Sequence, residues 1–203
     1  MITKIIISNH GYVHCRSSFY TVQDVLDERL NYSFSLGINK LIGEIDSGNW
    51  AISYLISMYN HRPRDFTIFN PKQAIINEGI VLTVNDLTKH ACYMDKINPL
   101  FKSKKTVRRL VNQEISKSGI TNTAQDIRDI FQIDNKRFEQ PLYCVGNEIF
   151  KAMSAIAHAC DKQIICFPWM SAKRFESYHK NLTELMTILE SLNKIVILPI
   201  GCK

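Results

Sequence analysis

The sequence predicts an α/β fold, because segments with the pattern of strands alternate with segments that have the pattern of helices. Apolar runs such as "TKIIIS" near the amino terminus and "KIVILPI" near the carboxyl terminus have the composition of buried strands. Longer segments between such runs carry apolar residues at the three- and four-residue spacing of a helix face. With 203 residues, the chain can bury one sizeable core. We therefore expect one domain over residues 1–203.

The first third of the chain predicts two early strands and then a strand, a tight turn and a helix. "TKIIIS" and "NYSFSLG" are the early strands, and "NKLIGE" is a third β run that reaches a glycine. The helix is predicted from Asn49 to Tyr59. Its apolar face comprises Ile52, Leu55, Ile56 and Tyr59.

The middle of the chain is polar and predicted to be helical. Two helical patterns, "TVRRLVNQEI" and "TAQDIRDIF", lie between Thr106 and Phe131 and are separated by the breaker "SGITN". We expect these helices to form a small sub-lobe of the domain, over about residues 95–140.

The last third predicts the end of the sheet. "NEIFKAMSAIAHAC" is predicted to be helical and "KQIICF" to be a buried strand. "RFESYHKNLTELMTILESLN" is predicted to be one continuous helix, because its apolar residues alternate at three and four positions. "KIVILPI" then closes the sheet.

Charge and cysteine spacing exclude several classes of protein. The 25 Lys and Arg outnumber the 19 Asp and Glu, and the net charge of +6 favours an anionic partner without identifying one. The six cysteines form no C-x-x-C pair, so the sequence predicts no zinc knuckle, no dithiol redox motif and no metal site. No apolar run approaches the roughly 20 residues that span a bilayer. We expect a cytoplasmic protein, peripheral at the membrane only through a partner.

One stretch resembles a phosphate-binding loop that has lost its chemical groups. Gly43 and Gly48 have the spacing of the G-x-x-x-x-G-K-[ST] motif. Asn49 replaces the Lys that reaches the phosphates, and Trp50 replaces the hydroxyl that binds Mg²⁺. An ordinary strand-to-helix turn remains the alternative, and Trp50 at the start of a buried helix is expected to pack rather than to stack on a base.

The order of the segments around this stretch resembles the nucleotide-binding domain of ATP-binding cassette (ABC) transporters. "LNYSFSLGINKLIGEIDSG" is similar to the strands and loop that open that domain. "CYMDKINPLFKSKKTVRRL" is similar to the segment with the Q-loop, and "PLYCVGNEIFKAMSAIAHACDKQIICFPWMS" to the stretch from the signature motif to the Walker B strand. "KIVILPIG" resembles the last strand. The resemblance implies a P-loop NTPase-like domain with a β edge, an α/β core sheet and a helical lobe that contacts a membrane-spanning subunit.

At most functional positions of the family, this sequence has a different residue. Cys144, Val145 and Gly146 fall on the Ser-Gly-Gly of the signature motif, and Phe167 and Pro168 fall on the Mg²⁺-binding Asp and the catalytic Glu. Two further positions differ in the same way: Lys96 stands for the Q-loop glutamine and Gly201 for the switch histidine.

Phosphoryl transfer needs a Lys, a metal ion and a group that positions water, and these substitutions supply none of them. We therefore predict a degenerate Walker A loop, no catalytic residue, no cofactor and no hydrolysis by the isolated chain. Asp46 adds a negative charge inside the loop, and either Asp46 or Ser47 is predicted to accept N–H bonds in place of a phosphate. The vestigial loop consists of Gly43, Asp46, Ser47, Gly48, Asn49 and Trp50.

A basic run is the candidate docking patch. "KSKKTVRR" places five positive charges within eight residues, on Lys102, Lys104, Lys105, Arg108 and Arg109. Such a run is often only a solvated helix face. No aromatic residues are interleaved with it, so nucleic acid is not the expected partner.

The sequence therefore predicts a pseudo-ATPase that acts through protein–protein contacts, as a subunit or regulator of an ABC transporter-like complex. The expected partner is a membrane-spanning transporter subunit, an active ABC ATPase or a second copy of the chain. Two alternatives stay open: a nucleotide-dependent ABC ATPase that uses ATP and Mg²⁺ at a site completed by a partner, and a basic adaptor for nucleic acid.

Overall fold

The computed structural model describes residues 2–8, 13–15, 31–44, 49–58, 66–68, 74–76 and 80–202. Its strands are β1 (Lys4–Ser8), β2 (Val13–Cys15), β3 (Asn31–Ser35), β4 (Gly37–Ile42), β5 (Phe66–Ile68), β6 (Ala74–Ile76), β7 (Ile80–Leu82), β8 (Ala91–Tyr93), β9 (Ile164–Cys166) and β10 (Ile195–Ile200). Its α-helices are α1 (Asn49–Met58), α2 (Val84–His90), α3 (Val107–Ser118), α4 (Ala124–Ile130), α5 (Asn135–Phe138), α6 (Ile149–Ala159), α7 (Ala172–Ser177) and α8 (His179–Ser191).

A parallel sheet with the strand order β4-β10-β9-β8 is the centre of the fold. Parallel neighbours need a crossover connection, and helices lie between each of these strands in the sequence. Strands β8 and β9 are buried at every position, as expected for strands covered on both faces. The structure thus confirms the α/β fold class that the sequence predicts.

A second, antiparallel sheet has the order β3-β1-β6-β7, and β2 pairs with β5 in a separate two-stranded ribbon. In β1, Ile5 and Ile7 are completely buried, whereas the intervening Ile6 is only partly buried. This alternation is the two-residue period of a strand with one face on a core.

Two hydrophobic clusters cover the two faces of the parallel sheet. Because side chains alternate along a strand, Val196 and Leu198 of β10 join one cluster, whereas Ile195 and Ile197 join the other. The first cluster contains residues from α3, α4, α6 and α8. The second contains residues from α1, β1 and β3, so α1 lies between the parallel sheet and the antiparallel one.

The predicted strand and helix on either side of the vestigial loop are confirmed, with one difference in burial, whereas the turn between them lies outside the described residues. Helix α1 follows β4, and Ile52, Leu55 and Ile56 are buried as expected, while Tyr59 lies outside the described residues. However, the opposite face carries Ser53 and Ser57, which are also buried. Their hydroxyls are satisfied by main-chain carbonyls, so a helix buried on all sides tolerates them.

The middle helices have the ends that the sequence indicates. The Thr106 side chain accepts a hydrogen bond from Arg109 N and caps α3, and Gly119 ends this helix in the left-handed region at φ 74°. Thr123 and Asp126 form a capping box at the start of α4. We call α3, α4 and α5 the helical segment. Its proposed limits as a sub-lobe, residues 95–140, remain a prediction, as does the single domain over residues 1–203.

One predicted helix is wrong, because residues 174–193 form two helices and not one. Helix α7 ends at Ser177 and α8 begins at His179, with Tyr178 between them at φ −100° and ψ 2°. The ring of Tyr178 packs edge-on against the ring of Phe150, with centroids 5.6 Å apart. The apolar spacing continues across the break, so the sequence pattern alone did not indicate it.

A partly buried histidine makes the fold sensitive to acid. His158 lies on α6, and its ring centroid is 5.8 Å from that of Phe131. Its Nδ1 atom is buried and has no hydrogen-bond partner among the described residues. Burial, followed by the positive charge of Lys194, lowers the pKa of His158 from 6.5 to about 4.

We predict that stability falls as the pH is lowered from 7 to 5. The unfolded chain takes up a proton near pH 6.5 that the folded chain takes up only near pH 4, so the loss begins below pH 6.5 and is complete near pH 4. The cost by pH 5 is on the order of 1–2 kcal/mol. Urea unfolding at both pH values measures it, and His158→Gln should remove this part of the loss. The control variant His179→Gln changes an exposed ring and should lose as much stability between pH 7 and pH 5 as the wild type. Equal losses in wild type and His158→Gln would contradict the prediction.

Candidate functional site

The carboxyl ends of three parallel strands meet where the vestigial loop begins. Gly43, just after β4, donates its N–H to the carbonyl of Ile200 at the end of β10 (2.9 Å). Phe167, just after β9, donates its N–H to the carbonyl of Ile197 (2.9 Å). In open α/β sheets, ligands bind at such an edge. This edge is therefore the candidate functional site.

The vestigial loop is only partly described. Gly43 is half-buried at the start of the loop, and Asn49 and Trp50 form the first turn of α1. Asp46, Ser47 and Gly48 lie outside the described residues. The hypothesis that Asp46 takes the place of a phosphate therefore stays a prediction from the sequence.

Trp50 is part of a row of aromatic rings. Its ring lies edge-on to that of Tyr54, with centroids 6.5 Å apart, and Tyr54 lies edge-on to Tyr93 of β8 at 5.2 Å. Such edge-to-face pairs stabilise a core beyond the area they bury. The row joins α1 to the parallel sheet, which agrees with the interpretation of Trp50 as a packing residue.

Apolar side chains lie just after β9, where the family has its two acidic groups. Phe167 is completely buried and its ring packs against Phe150, with centroids 5.4 Å apart. Pro168 is also buried. The hydroxyl of Ser53 on α1 donates to the carbonyl of Phe167 (2.6 Å), which fixes the main chain against the helix that follows the vestigial loop. This part of the site is a packed core.

Trp169 is the side chain that sequence reasoning missed. Its Nε1–H donates to the carbonyl of Gly43 (3.0 Å), so the indole links the segment after β9 to the start of the vestigial loop. A Cβ atom added at Gly201 would lie 2.9 Å from Cζ2 of this indole and 3.3 Å from Cα of Ser171. A side chain at Gly201, which the resemblance aligns with the switch histidine, would therefore have to displace the Trp169 indole. The signal in the sequence was a tryptophan two residues beyond Phe167.

Main-chain bonds hold the same edge together. Met170 donates its N–H to the carbonyl of Pro199 (3.2 Å), and Gly201 donates its N–H to the carbonyl of Met170 (2.8 Å). The segment that carries Trp169 thus continues the parallel pairing with β10. This pairing fixes the position of the indole.

Five of the residues at this edge have uncharged side chains. Gly43, Phe167, Pro168, Trp169 and Gly201 have no ionisable side chain. Within the described ranges, no group of three His, Cys, Asp or Glu side chains is placed to hold a metal ion. What these residues provide chemically is apolar packing and one N–H donor that is already bound to protein.

The signature-like residues form a tight, mostly exposed turn. Cys144 ends one 3-10 turn and Gly146 begins the next, and Gly146 has a φ of 67°. Cys144 is exposed and its neighbour Tyr143 has 71% of its surface exposed, whereas Val145 is completely buried. The turn therefore presents a thiol and an aromatic ring to the surroundings.

Some cations of the candidate docking patch are exposed without an acidic partner among the described residues, whereas others contact neighbouring side chains. Lys102, Lys104 and Arg109 are exposed, and within the part of the chain that the structure describes none of them has a carboxylate partner. Lys105 donates to Gln113 (2.5 Å). Arg108 is engaged more strongly, because it pairs with Glu139 and its guanidinium lies 5.2 Å from the Phe138 ring centroid. Arg108 thus contributes to packing in the helical segment.

Solved structures with the same topology are ATP-binding domains of ABC proteins. A putative ABC transporter ATP-binding protein from Pyrococcus furiosus is similar over 99% of this chain and 92% of its own, with a TM-score of 0.63 and 15% identity. The ATP-binding cassette MJ0796, in a dimeric post-hydrolysis state with ADP and Pi, is similar over 98% of this chain and 88% of its own, with a TM-score of 0.59 and 12% identity. A bacterial Atm1-family ABC exporter with ATP bound is similar over 99% of this chain and 34% of its own, with a TM-score of 0.54 and 10% identity.

The chain has the fold of an ATP-binding cassette domain. At these identities the similarity shows the fold alone. No family model and no curated protein matches the sequence. Gly43, Phe167 and Gly201 lie at one edge of the parallel sheet. No helix in the described part of the chain has the length and apolarity needed to cross a membrane.

Proposed function

We propose that this chain is a catalytically degenerate ABC-type domain that acts through protein–protein contacts, as a subunit or regulator of an ABC transporter-like complex. The observation that carries the proposal is Trp169. Its indole is hydrogen-bonded to Gly43 and packed on Gly201, at the edge of the sheet where the fold would hold a nucleotide.

Physical chemistry supports the absence of hydrolysis. The transferred phosphoryl group spreads its charge over several oxygens, and catalysis depends on cations and aligned donors that stabilise this charge. Phe167 and Pro168 contribute neither a metal ligand nor a base, and the Asn49 side chain has no charge. The proposal therefore includes no cofactor for the isolated chain.

Exposed groups on and next to the helical segment support a role in docking. Tyr143 and Ile97 have 71% and 45% of their surfaces exposed, so both side chains are accessible to a partner. Lys102, Lys104 and Arg109 add positive charge near Ile97 in the sequence. Interfaces commonly combine an apolar centre with charged groups that guide the approach of the partner. The similar proteins include a dimer and an exporter, so a second ABC domain and a transporter subunit are the partners we propose.

The docking proposal predicts a loss of association without a loss of fold. Reversing the charge of Lys102, Lys104 and Arg109 to Glu should prevent co-purification of the protein partner from native membranes. Exposed charges contribute little to stability, so the circular dichroism and the melting temperature should be nearly unchanged. Arg108 is left intact because it packs on Phe138.

A matched control changes the same amount of charge elsewhere. Lys40, Lys173 and Lys180 are exposed on other elements, and their reversal to Glu should leave co-purification intact. If the patch variant keeps its partner, the patch has no docking role. If both variants lose it equally, net charge and not the patch controls the association.

A further inference from the structure

A cleft with a volume of about 510 Å³ lies between the parallel sheet and the helical segment. Its lining comes from separate segments of the chain: Cys92 of β8, Asn98 after it, Glu114 and Lys117 of α3, and Cys160 and Lys162 between α6 and β9. Volumes of roughly 300–1,000 Å³ are typical of small-molecule sites. The cleft therefore has the size of a ligand site.

The cleft is separate from the candidate functional site. Lys162 donates its ammonium to the carbonyl of Lys89, and Gln163 donates its N–H to the carbonyl of His90, immediately before β8 and β9 begin. These contacts lie at the amino edge of the parallel sheet, whereas Gly43 and Trp169 lie beyond the carboxyl ends of its strands. Neither Gly43 nor Trp169 lines the cleft, so a ligand there would not take the place of the Trp169–Gly43 contact.

Buried polar groups in the cleft are already held in position. Asn98 is 8% exposed and donates to the carbonyl of Tyr93 (3.1 Å) and to the sulfur of Cys92 (3.4 Å). Glu114 is 9% exposed and accepts from the Lys117 ammonium (2.6 Å) and the Cys160 thiol (3.4 Å). Orientation by such neighbours reduces the entropy that a ligand must overcome on binding. The lining is preorganised.

The charge of the lining is positive. Lys89, Lys117 and Lys162 line the cleft together with a single carboxylate, that of Glu114, which is neutralised by Lys117. Lys89 pairs with Asp86 at the surface. Among the described residues, Lys162 has no carboxylate partner, and its ammonium is held only by a neutral carbonyl. An uncompensated cation at a concave site favours an anionic ligand.

We propose that this cleft binds a small organic anion, which places a carboxylate or phosphate group against Lys162 and Lys117 and the rest of its body against Pro99 and Leu100. The ammonium groups provide charge-assisted hydrogen bonds. Because the cleft is lined from both the sheet and α3, an occupied cleft joins the helical segment to the sheet. This proposal does not depend on whether the protein binds ATP.

Cys160 serves as a built-in reporter for the test. Its thiol lines the cleft, and burial followed by the charge of Glu114 raises its pKa to about 12, so it reacts slowly with N-ethylmaleimide. Mass spectrometry follows the rate of Cys160 modification in the presence of inorganic phosphate, citrate or fructose 1,6-bisphosphate. A sample with sodium chloride at the same ionic strength is the reference. A probe at ten times its dissociation constant should slow the reaction about tenfold. The exposed thiols of Cys144 and Cys202 should react at unchanged rates.

Variants connect the protection to the cleft. Lys162→Gln should abolish this protection and is the decisive variant. Lys117→Gln should also abolish it, and it should lower stability as well, because it removes the cation that pairs with the buried Glu114 carboxylate. Lys173→Gln, on an exposed part of α7, should keep the protection. Three results would overturn the proposal: no protection by any of the three anions, protection that survives both variants, or equal slowing at Cys144. Protection by poly-glutamate alone would also overturn it, because it would assign the cleft to an acidic protein partner.

Discussion

Replacing Phe167 with Asp, which restores the acidic group of the ABC family, is expected to destabilise this protein by at least about 4 kcal/mol. The ring is completely buried and packs against Phe150, so the change removes a large apolar side chain and places a carboxylate in the cavity. The described residues offer no cation or metal there. Because folded domains are typically stable by only about 5–15 kcal/mol, urea unfolding should show a large fall in midpoint or no folded baseline.

A conservative change at the same position is the control. Phe167→Leu keeps the position apolar and should cost far less, roughly 1–2 kcal/mol. If Phe167→Asp were as stable as Phe167→Leu, the site would have room for an ionised group. The view of this edge as a packed core would then be wrong.

Enlarging Gly201 is expected to have the second largest effect. The added Cβ of Gly201→Ala would meet the Trp169 indole at 2.9 Å, so overpacking should cost about 1–3 kcal/mol. Gly201→His, which restores the family's histidine, should cost more because the whole ring must displace the indole. Urea unfolding measures both values.

A double-mutant cycle identifies the cause of this loss. In a Trp169→Leu background the indole is absent, so Gly201→Ala should cost at least about 1 kcal/mol less than in the wild type. The contact with Ser171 remains, so the relief should be partial. Strict additivity of the two changes would mean that Trp169 does not occupy the space beside Gly201.

The sequence predicted three of the four strands of the parallel sheet, β4, β9 and β10, because these strands have local patterns. Apolar runs marked β1, β9 and β10, and glycine spacing marked the end of β4. Helix α2 and strand β8 were missed, since β8 follows the last residue of α2 directly and its burial depends on neighbours that are remote in the sequence. The break at Tyr178 was missed for a similar reason, because it accompanies a ring contact with Phe150.

The sequence indicated which chemical groups are missing from the candidate site, but it did not indicate that Trp169 contacts Gly43 and Gly201 there. The residues at positions 49, 50, 167 and 168 indicated lost chemistry from their identity alone. The role of Trp169 depends on Gly43, which is 126 positions away along the chain, and on the absence of a side chain at Gly201. Contacts of this kind follow from the closure of the sheet, which no local pattern encodes.

The central claim is that the ABC fold is retained here without its nucleotide chemistry. Isothermal titration calorimetry and thermal unfolding with millimolar ATP and Mg²⁺ test it most directly, with a phosphate-release assay on the same samples. We predict no binding heat, no shift in melting temperature and no phosphate release. A nucleotide present at a hundred times its dissociation constant would stabilise the fold by about 2.7 kcal/mol, so a saturable ATP-dependent shift of that kind would contradict the claim.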